Sequence, residues 1–320
     1  MSPKKARSRR KPVATPELAT IRDVLGYAVR KFNTAKLAYG HGTDNARDEA
    51  AFLILEGLHL PIDELEPVLE RKLTGGERRR LVDLIEARIA TRKPAAYLLG
   101  RAYVGGVAFH VDERVIVPRS FIGEILRGPL FQGERAGLIG DARWIRRVLD
   151  LCTGSGCLAV LAARAFPEAR IDATEISAEA LAVARRNVEE SGAAARIRLL
   201  QGDLFAPVAG ERYDLILANP PYVDAKGMAA LPREYRHEPA LALDGGADGL
   251  RLIRRILAQA PAHLASRGGL LCEVGRGKAP LEAEFPLPFL WLDTQASRGE
   301  VFWLEAQDFR PGYLRRTAGK

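Results

Sequence analysis

The spacing of apolar residues changes character twice along the chain. Over residues 17–101 it is helical: Leu25, Ala28, Val29 and Phe32 fall on one face, as do Ala50, Leu53, Ile54, Gly57 and Leu58. Thr74-Gly75-Gly76-Glu77 has capping-box spacing ahead of an amphipathic run through Leu81, Leu84, Ile85, Arg88 and Ile89. Pro61 and Pro94 mark breaks, so the pattern predicts a small helical domain over 17–101. Within it, Tyr39-Gly40-His41-Gly42-Thr43-Asp44-Asn45 reads as a glycine-shaped loop, with Thr43 or Asp44 capping the next helix. Over 102–119 the period becomes two, around Gly105-Gly106, which predicts a β-hairpin linker. Pro118-Arg119-Ser120 ends it and opens a short helix near 121–126, and the Gly-rich, charged stretch 128–143 suits a surface connection.

Beyond that point, short apolar β-rich runs alternate with helical segments. Strands are predicted at 148–151, 171–175, 197–200, 215–218 and 270–274, with late ones near 289–292 and 301–304. Helices are predicted at 158–166, from a Ser177 cap to Gly192, and at 249–265. This alternation predicts an α/β fold over 120–310: a doubly wound, mostly parallel sheet with helices on both faces. A carboxyl-terminal tail, 311–320, follows it.

Composition adds one correction. At 320 residues and 47% hydrophobic, the chain suits two domains with sizeable cores. Six of its eight net positive charges are Lys4, Lys5, Arg7, Arg9, Arg10 and Lys11, so the body is near neutral and residues 1–16 read as a disordered basic arm. Such an arm suits RNA phosphates, or serves only as a solubilising extension. No apolar run approaches the ~18 residues that span a bilayer, and no signal-peptide core follows the basic start. Three cysteines without metal spacing or a disulfide framework fit a reducing cytoplasm, and five scattered histidines give no metal site.

The candidate chemistry sits at strand ends, where open α/β sheets bind ligands. After the first strand, Asp150-Leu151-Cys152-Thr153-Gly154-Ser155-Gly156-Cys157 forms a glycine turn in which Gly154 and Gly156 let a ligand approach the backbone. Ala159 stands where a dinucleotide fingerprint has its third glycine, which suits a nucleoside without phosphate. Glu175 ends the second strand, placed either to hold a ribose diol or to sit solvated at the surface. Asp203, with Leu204 beside it, follows the third strand and can meet an adenine amine. After the fourth comes Asn219-Pro220-Pro221-Tyr222, a stiff loop in which neither proline nitrogen can donate to a ladder. Taken alone it reads equally well as a strand-ending turn.

Together, the motif Asp150–Gly156, Glu175, Asp203 and Asn219-Pro220-Pro221-Tyr222 resemble class I methyltransferases that use S-adenosylmethionine. The last motif narrows the resemblance to enzymes methylating nitrogen on a planar carbon. The amino-terminal part is similar to the protein-glutamine methyltransferases, whose two members act on release factors or on a large-subunit ribosomal protein. Tyr39–Asn45, the run 111–120 and Cys152 favour the second; the release-factor enzymes usually carry Gly at 152. The resemblance implies cofactor binding by Cys152, Thr153, Gly154, Ser155, Gly156, Glu175, Asp203, Leu204 and Asn219. It implies catalysis by Asn219, Pro220 and Tyr222, with Pro221 completing the substrate loop, and the third large-subunit ribosomal protein as partner. Many relatives carry Asp at position 175. Arg119 closes the cofactor pocket, caps a helix or forms a salt bridge. The alternatives are a release-factor enzyme, an adenine-amino methyltransferase, a nicotinamide oxidoreductase and a non-enzymatic RNA-binding assembly factor. A near-neutral body and the missing third glycine count against the nucleic-acid and nicotinamide readings.

Overall fold

A computed structural model describes residues 18–128, 131, 142–295 and 297–309. The expected arm 1–16, the tail 311–320 and most of the connection 128–143 lie outside them.

The chain divides into two compact units, and the division differs from the one expected at residue 101. The first comprises the helices α1 (Ile21–Ala35), α2 (Ala46–Gly57), α3 (Leu65–Val68) and α4 (Gly75–Thr91). Thr20 with Asp23 and Thr74 with Glu77 form capping boxes that start α1 and α4. Asn45 caps α2, accepting from the Arg47 and Asp48 amides, where Thr43 or Asp44 had been expected. An Asn side chain reaches amides two and three residues ahead, so the cap falls at the last polar residue of the loop. Val24, Leu25 and Phe32 bury one face of α1, and Leu53, Ile54, Leu81 and Ile85 the inward stripes of α2 and α4. A buried ion pair between Arg88 and Glu49 ties α4 to α2.

The second unit runs from residue 93 onward and also takes residues 38–43. It opens with α5 (Ala95–Leu99) and the antiparallel pair β1 (Arg101–Val104) and β2 (Val107–His110), joined at Gly105-Gly106. The hairpin is shorter than its alternating pattern suggested. Val111, Val115 and Val117 keep a period-two burial but have no partner strand among the described residues. Instead the Tyr97 hydroxyl donates to the Val115 carbonyl at 2.5 Å, and the Val117 amide donates to Glu238 at 2.9 Å.

After α6 (Ile122–Ile125), the sheet is built from β3 (Arg147–Leu151), α7 (Cys157–Ala165), β4 (Arg170–Glu175), α8 (Ala178–Glu190), β5 (Ile197–Gln201) and β6 (Tyr213–Ala218). It is completed by α9 (Ala225–Ala229), α10 (Arg251–His263), β7 (Leu264–Glu273), α11 (Lys278–Glu284), β8 (Leu290–Asp293) and β9 (Arg298–Glu305). The seven strands lie in the order β5-β4-β3-β6-β7-β9-β8. The five from β5 to β7 are parallel, and β9 enters antiparallel between β7 and β8 because a short β8–β9 connection can join only antiparallel neighbours. β7 begins at Leu264, so 264–269, expected as helix end and turn, already belong to the strand. Side chains alternate across the sheet: Leu215 and Leu217 pack with α7, whereas Ile216 and Ala218 pack with α10. Strand order reverses between β3 and β6, where Leu151 pairs with Ala218, so the two motif loops leave the sheet side by side.

Candidate active site

At that reversal lies a cavity of about 270 Å³. Of the residues singled out in the sequence, it is lined by Cys152, Gly154, Glu175, Asp203, Leu204, Asn219 and Pro221. Thr153, Ser155, Gly156, Pro220 and Tyr222 are not among the lining residues.

The glycine turn is braced from beneath. Asp150 is fully buried and accepts from the Thr153 hydroxyl at 2.5 Å; burial pushes its carboxyl up to about 7 against that hydrogen bond. Thr153 thus turns its hydroxyl inward. Asn187 of α8 donates to the Ser155 carbonyl at 2.8 Å and exchanges hydrogen bonds with the His110 backbone, fastening turn to hairpin.

Glu175 is set before any ligand arrives. Its Oε2 accepts from the Gly154 amide and its Oε1 from the Ser177 amide, both at 3.0 Å. Carboxylate oxygens have lone pairs to spare, so Glu175, which lines the cavity, can still accept from a ligand. Cys152 (φ 57°) and Leu204 (φ 48°) hold left-handed backbone at two strand ends, conformations a non-glycine residue keeps only where its surroundings enforce them. Asp203 is engaged by Arg255, whose Nη2 donates at 2.7 Å, and both line the cavity. Exposed Ile176 and Leu241 stand at its rim beside Arg114 and Arg251.

The Asn219–Tyr222 loop is held on its far side. The Val223 amide donates to Leu243 and the Gly245 amide to Val223, a single parallel bridge beyond the last strand residue. Among the described residues none hydrogen-bonds the Asn219 side chain, which lines the cavity. Tyr222 points its hydroxyl away, donating to Glu273 at 3.0 Å. Gly275 (φ 52°) packs on the ring so closely that an added Cβ would lie 2.6 Å from a ring carbon.

Two buried acids had no sequence signal strong enough to be singled out. Glu273 ends β7, accepting from Tyr222, from the Ser120 hydroxyl at 2.7 Å and from the Phe121 amide at 3.0 Å. Burial pushes it up to about 7 despite those donors. Its place at a strand end, like that of Glu175, was the available clue. Glu238 accepts from both Arg119 Nη atoms at 2.6 and 2.7 Å and from the Val117 amide. Burial works to raise its pKa, but the Arg119 guanidinium outweighs it, with His41 adding, and holds the carboxyl near 2. Of the expected roles for Arg119, the structure thus shows the salt bridge.

The Tyr39–Thr43 loop meets the same segment. His41 packs on Tyr235 at 4.2 Å between ring centres, tilted by 47°, and brings Nε2 to 3.6 Å from Glu238. The Tyr235 hydroxyl donates to the Tyr39 carbonyl, and an added Cβ at Gly40 would lie 2.0 Å from it, so only glycine fits.

Glycine turn, strand-end acids and the Asn219 loop at the reversal of a doubly wound sheet define a class I methyltransferase, and residues 141–233 match the family model described as "Methyltransferase small domain". A "Ribosomal protein uL3 glutamine methyltransferase" of Bradyrhizobium diazoefficiens is 55% identical, with 96% of this chain and 98% of that one covered. Proteins of the same description from Bordetella pertussis (52% identical; 90% and 95% covered) and Neisseria meningitidis serogroup A (51%; 91% and 94%) agree. The chain belongs to the family of ribosomal protein uL3 glutamine methyltransferases. Among the described residues no helix is long and apolar enough to cross a membrane, and no His, Cys, Asp and Glu cluster suits a metal ion.

Proposed function

We propose that the protein methylates the side-chain amide nitrogen of a glutamine in ribosomal protein uL3, with S-adenosylmethionine as donor. The substrate follows from membership of the family. The chemistry rests on one observation: the unpartnered Asn219 side chain at the cavity, one strand over from the glycine turn.

S-adenosylmethionine supplies an electrophilic methyl on a sulfonium. The residues present suit it: Glu175 offers two pre-set acceptors for a ribose diol, Leu204 an apolar wall, Asp203 a carboxylate oxygen for an adenine amine, and the turn Cys152–Gly156 an open backbone. The chain's own task is to make a poor nucleophile react. An amide nitrogen gives its lone pair to its carbonyl, and an acceptor on each N–H returns electron density to nitrogen. The Asn219 side-chain oxygen and the Pro220 carbonyl are those acceptors, and their bonds strengthen as nitrogen becomes positive. The Tyr222 ring flanks the flat amide, and Pro220 and Pro221 keep the loop from yielding. Alignment of this kind contributes up to ~7–11 kcal/mol in well-oriented systems. The proton becomes acidic only after the methyl arrives, so it leaves late and no base is required before transfer. The basic arm 1–16 is proposed to meet RNA, the cytoplasm is the proposed compartment, and the helical residues 17–101 are proposed to recognise the protein substrate.

The test is incubation with methyl-labelled S-adenosylmethionine and, separately, uL3, a release factor and DNA. Label is expected on uL3 glutamine, and Asn219→Ala should lower the rate by about 10²-fold or more. Label on DNA alone, or full rate in Asn219→Ala, would overturn the reading.

A further inference from the structure

Glu273 is 1% exposed, yet among the described residues no Lys, Arg or His donates to it. Its donors are all neutral: the Tyr222 and Ser120 hydroxyls and the Phe121 amide. Glu300 on the neighbouring strand β9 adds a like charge that raises its pKa further. A buried carboxyl with this company is a poor source of stability, because desolvation costs more than neutral donors return. What it does provide is direction. Ala218 pairs with Cys272, so Asn219 and Glu273 are the next residues on adjacent strands, and the acid stands level with the clamp. One oxygen takes the Tyr222 hydroxyl while the other is fixed by two donors from residues 120–121. Gly275, two residues on, lies against the ring. The ring is thereby held at its tip by Glu273 and against one side by Gly275.

From this placement we infer that Glu273 is a positioning residue for methyl transfer: through the Tyr222 hydroxyl it fixes the ring that flanks the reacting amide. It is not among the residues that line the cavity, so it acts through Tyr222. The inference rests on the amide-clamp reading of Asn219–Tyr222. It predicts that Glu273→Gln and Tyr222→Phe act alike: a carboxamide has one acceptor oxygen where the carboxylate uses two, so the ring tip or its anchor at residues 120–121 loses its hold, and Tyr222→Phe removes the hydroxyl itself.

The experiment uses the full chain with Glu273→Gln, Tyr222→Phe and the double substitution. Each single variant should lower kcat by about ten- to a hundred-fold, with KM for S-adenosylmethionine within about two-fold, and the double should be no slower than the slower single. Multiplying losses in the double variant, or wild-type kcat in Glu273→Gln, would overturn the inference. So would a matching loss of cofactor binding by calorimetry, which would make Glu273 a general structural acid. A second readout needs no substrate: with 3-fluorotyrosine incorporated, the resonance missing from Tyr222→Phe should shift or broaden in Glu273→Gln. An unmoved resonance would overturn the inference too. If wild-type protein fails to label uL3 while that resonance moves, the function proposed above fails and the positioning of Tyr222 by Glu273 stands.

Discussion

Glu238 and Glu273 both grip residues 117–121, and both are almost wholly removed from water, at 4% and 1% exposure. Glu238 meets a guanidinium in a two-pronged ion pair, and the attraction holds its carboxyl near 2. Among the described residues Glu273 meets only neutral donors, and burial carries it to about 7. The same segment is thus fastened at one point by a permanent charge and at the other by a group poised near neutrality. Burial alone does not set the charge of a buried acid; the formal charge of its partners does. The permanent pair lies beside Pro239 at the cavity rim, and the poised acid lies beside the aromatic ring of the clamp.

The largest effect is expected at Arg119. Arg119→Ala strands the Glu238 carboxylate in the interior, an arrangement that costs about 3–5 kcal/mol. Urea unfolding followed by tryptophan fluorescence reads this directly, because Trp144, Trp291 and Trp303 all belong to the larger unit. A midpoint near that of wild type would show that the pair is ornamental.

Next in size is the dependence on pH, where the two acids act with opposite sign. Glu238 has a folded pKa below its ordinary 4.5, so its contribution is present above that value and is lost as pH falls toward about 2. Glu273, raised above 4.5, makes the folded state bind its proton more tightly; that contribution is complete below 4.5 and is lost as pH rises through about 7. Asp150 behaves like Glu273, from 3.8 to about 7. Unfolding midpoints of Glu273→Gln should therefore decline less than those of wild type between about pH 5 and pH 8. Parallel curves would mean that Glu273 keeps its charge across that range.

The smallest effect belongs to an exposed contrast. Arg255 and Asp203 form an ion pair in which both side chains remain near half exposed, so Arg255→Ala should cost less than ~1 kcal/mol. A larger loss of stability would show that this rim pair is shielded in the way the Arg119 pair is.

Much of this architecture was legible in local pattern. β3 to β6 and α7, α8 and α10 follow from apolar spacing with glycine and serine punctuation. The strand-end logic brought Cys152, Gly154, Glu175, Asp203 and Asn219 to one cavity without any knowledge of strand order. Long-range relations were hidden. Val111 to Val117 alternates like a strand because alternate side chains are buried, but a ladder needs a partner, and pattern does not say whether one exists. The insertion of β9 between β7 and β8 is likewise a matter of pairing. Glu238 sits in the short turns around Arg233–His237 and Ala240–Ala242, which carry no periodicity. Glu273 closes an apolar strand as Glu175 does, but nothing nearby in sequence announces Tyr222 or Ser120 as its partners.

The entry of residues 38–43 into the larger unit has a consequence for modular exchange. The methyltransferase body is discontinuous along the chain: six of its residues are encoded ahead of most of the helical unit. A fragment beginning at residue 93 would lack the His41 ring that packs on Tyr235 and the backbone that accepts its hydroxyl, although every cavity-lining residue would be present. Grafting a different helical unit onto this body therefore demands an insertion at two junctions, with Tyr39–Thr43 retained, rather than a single cut.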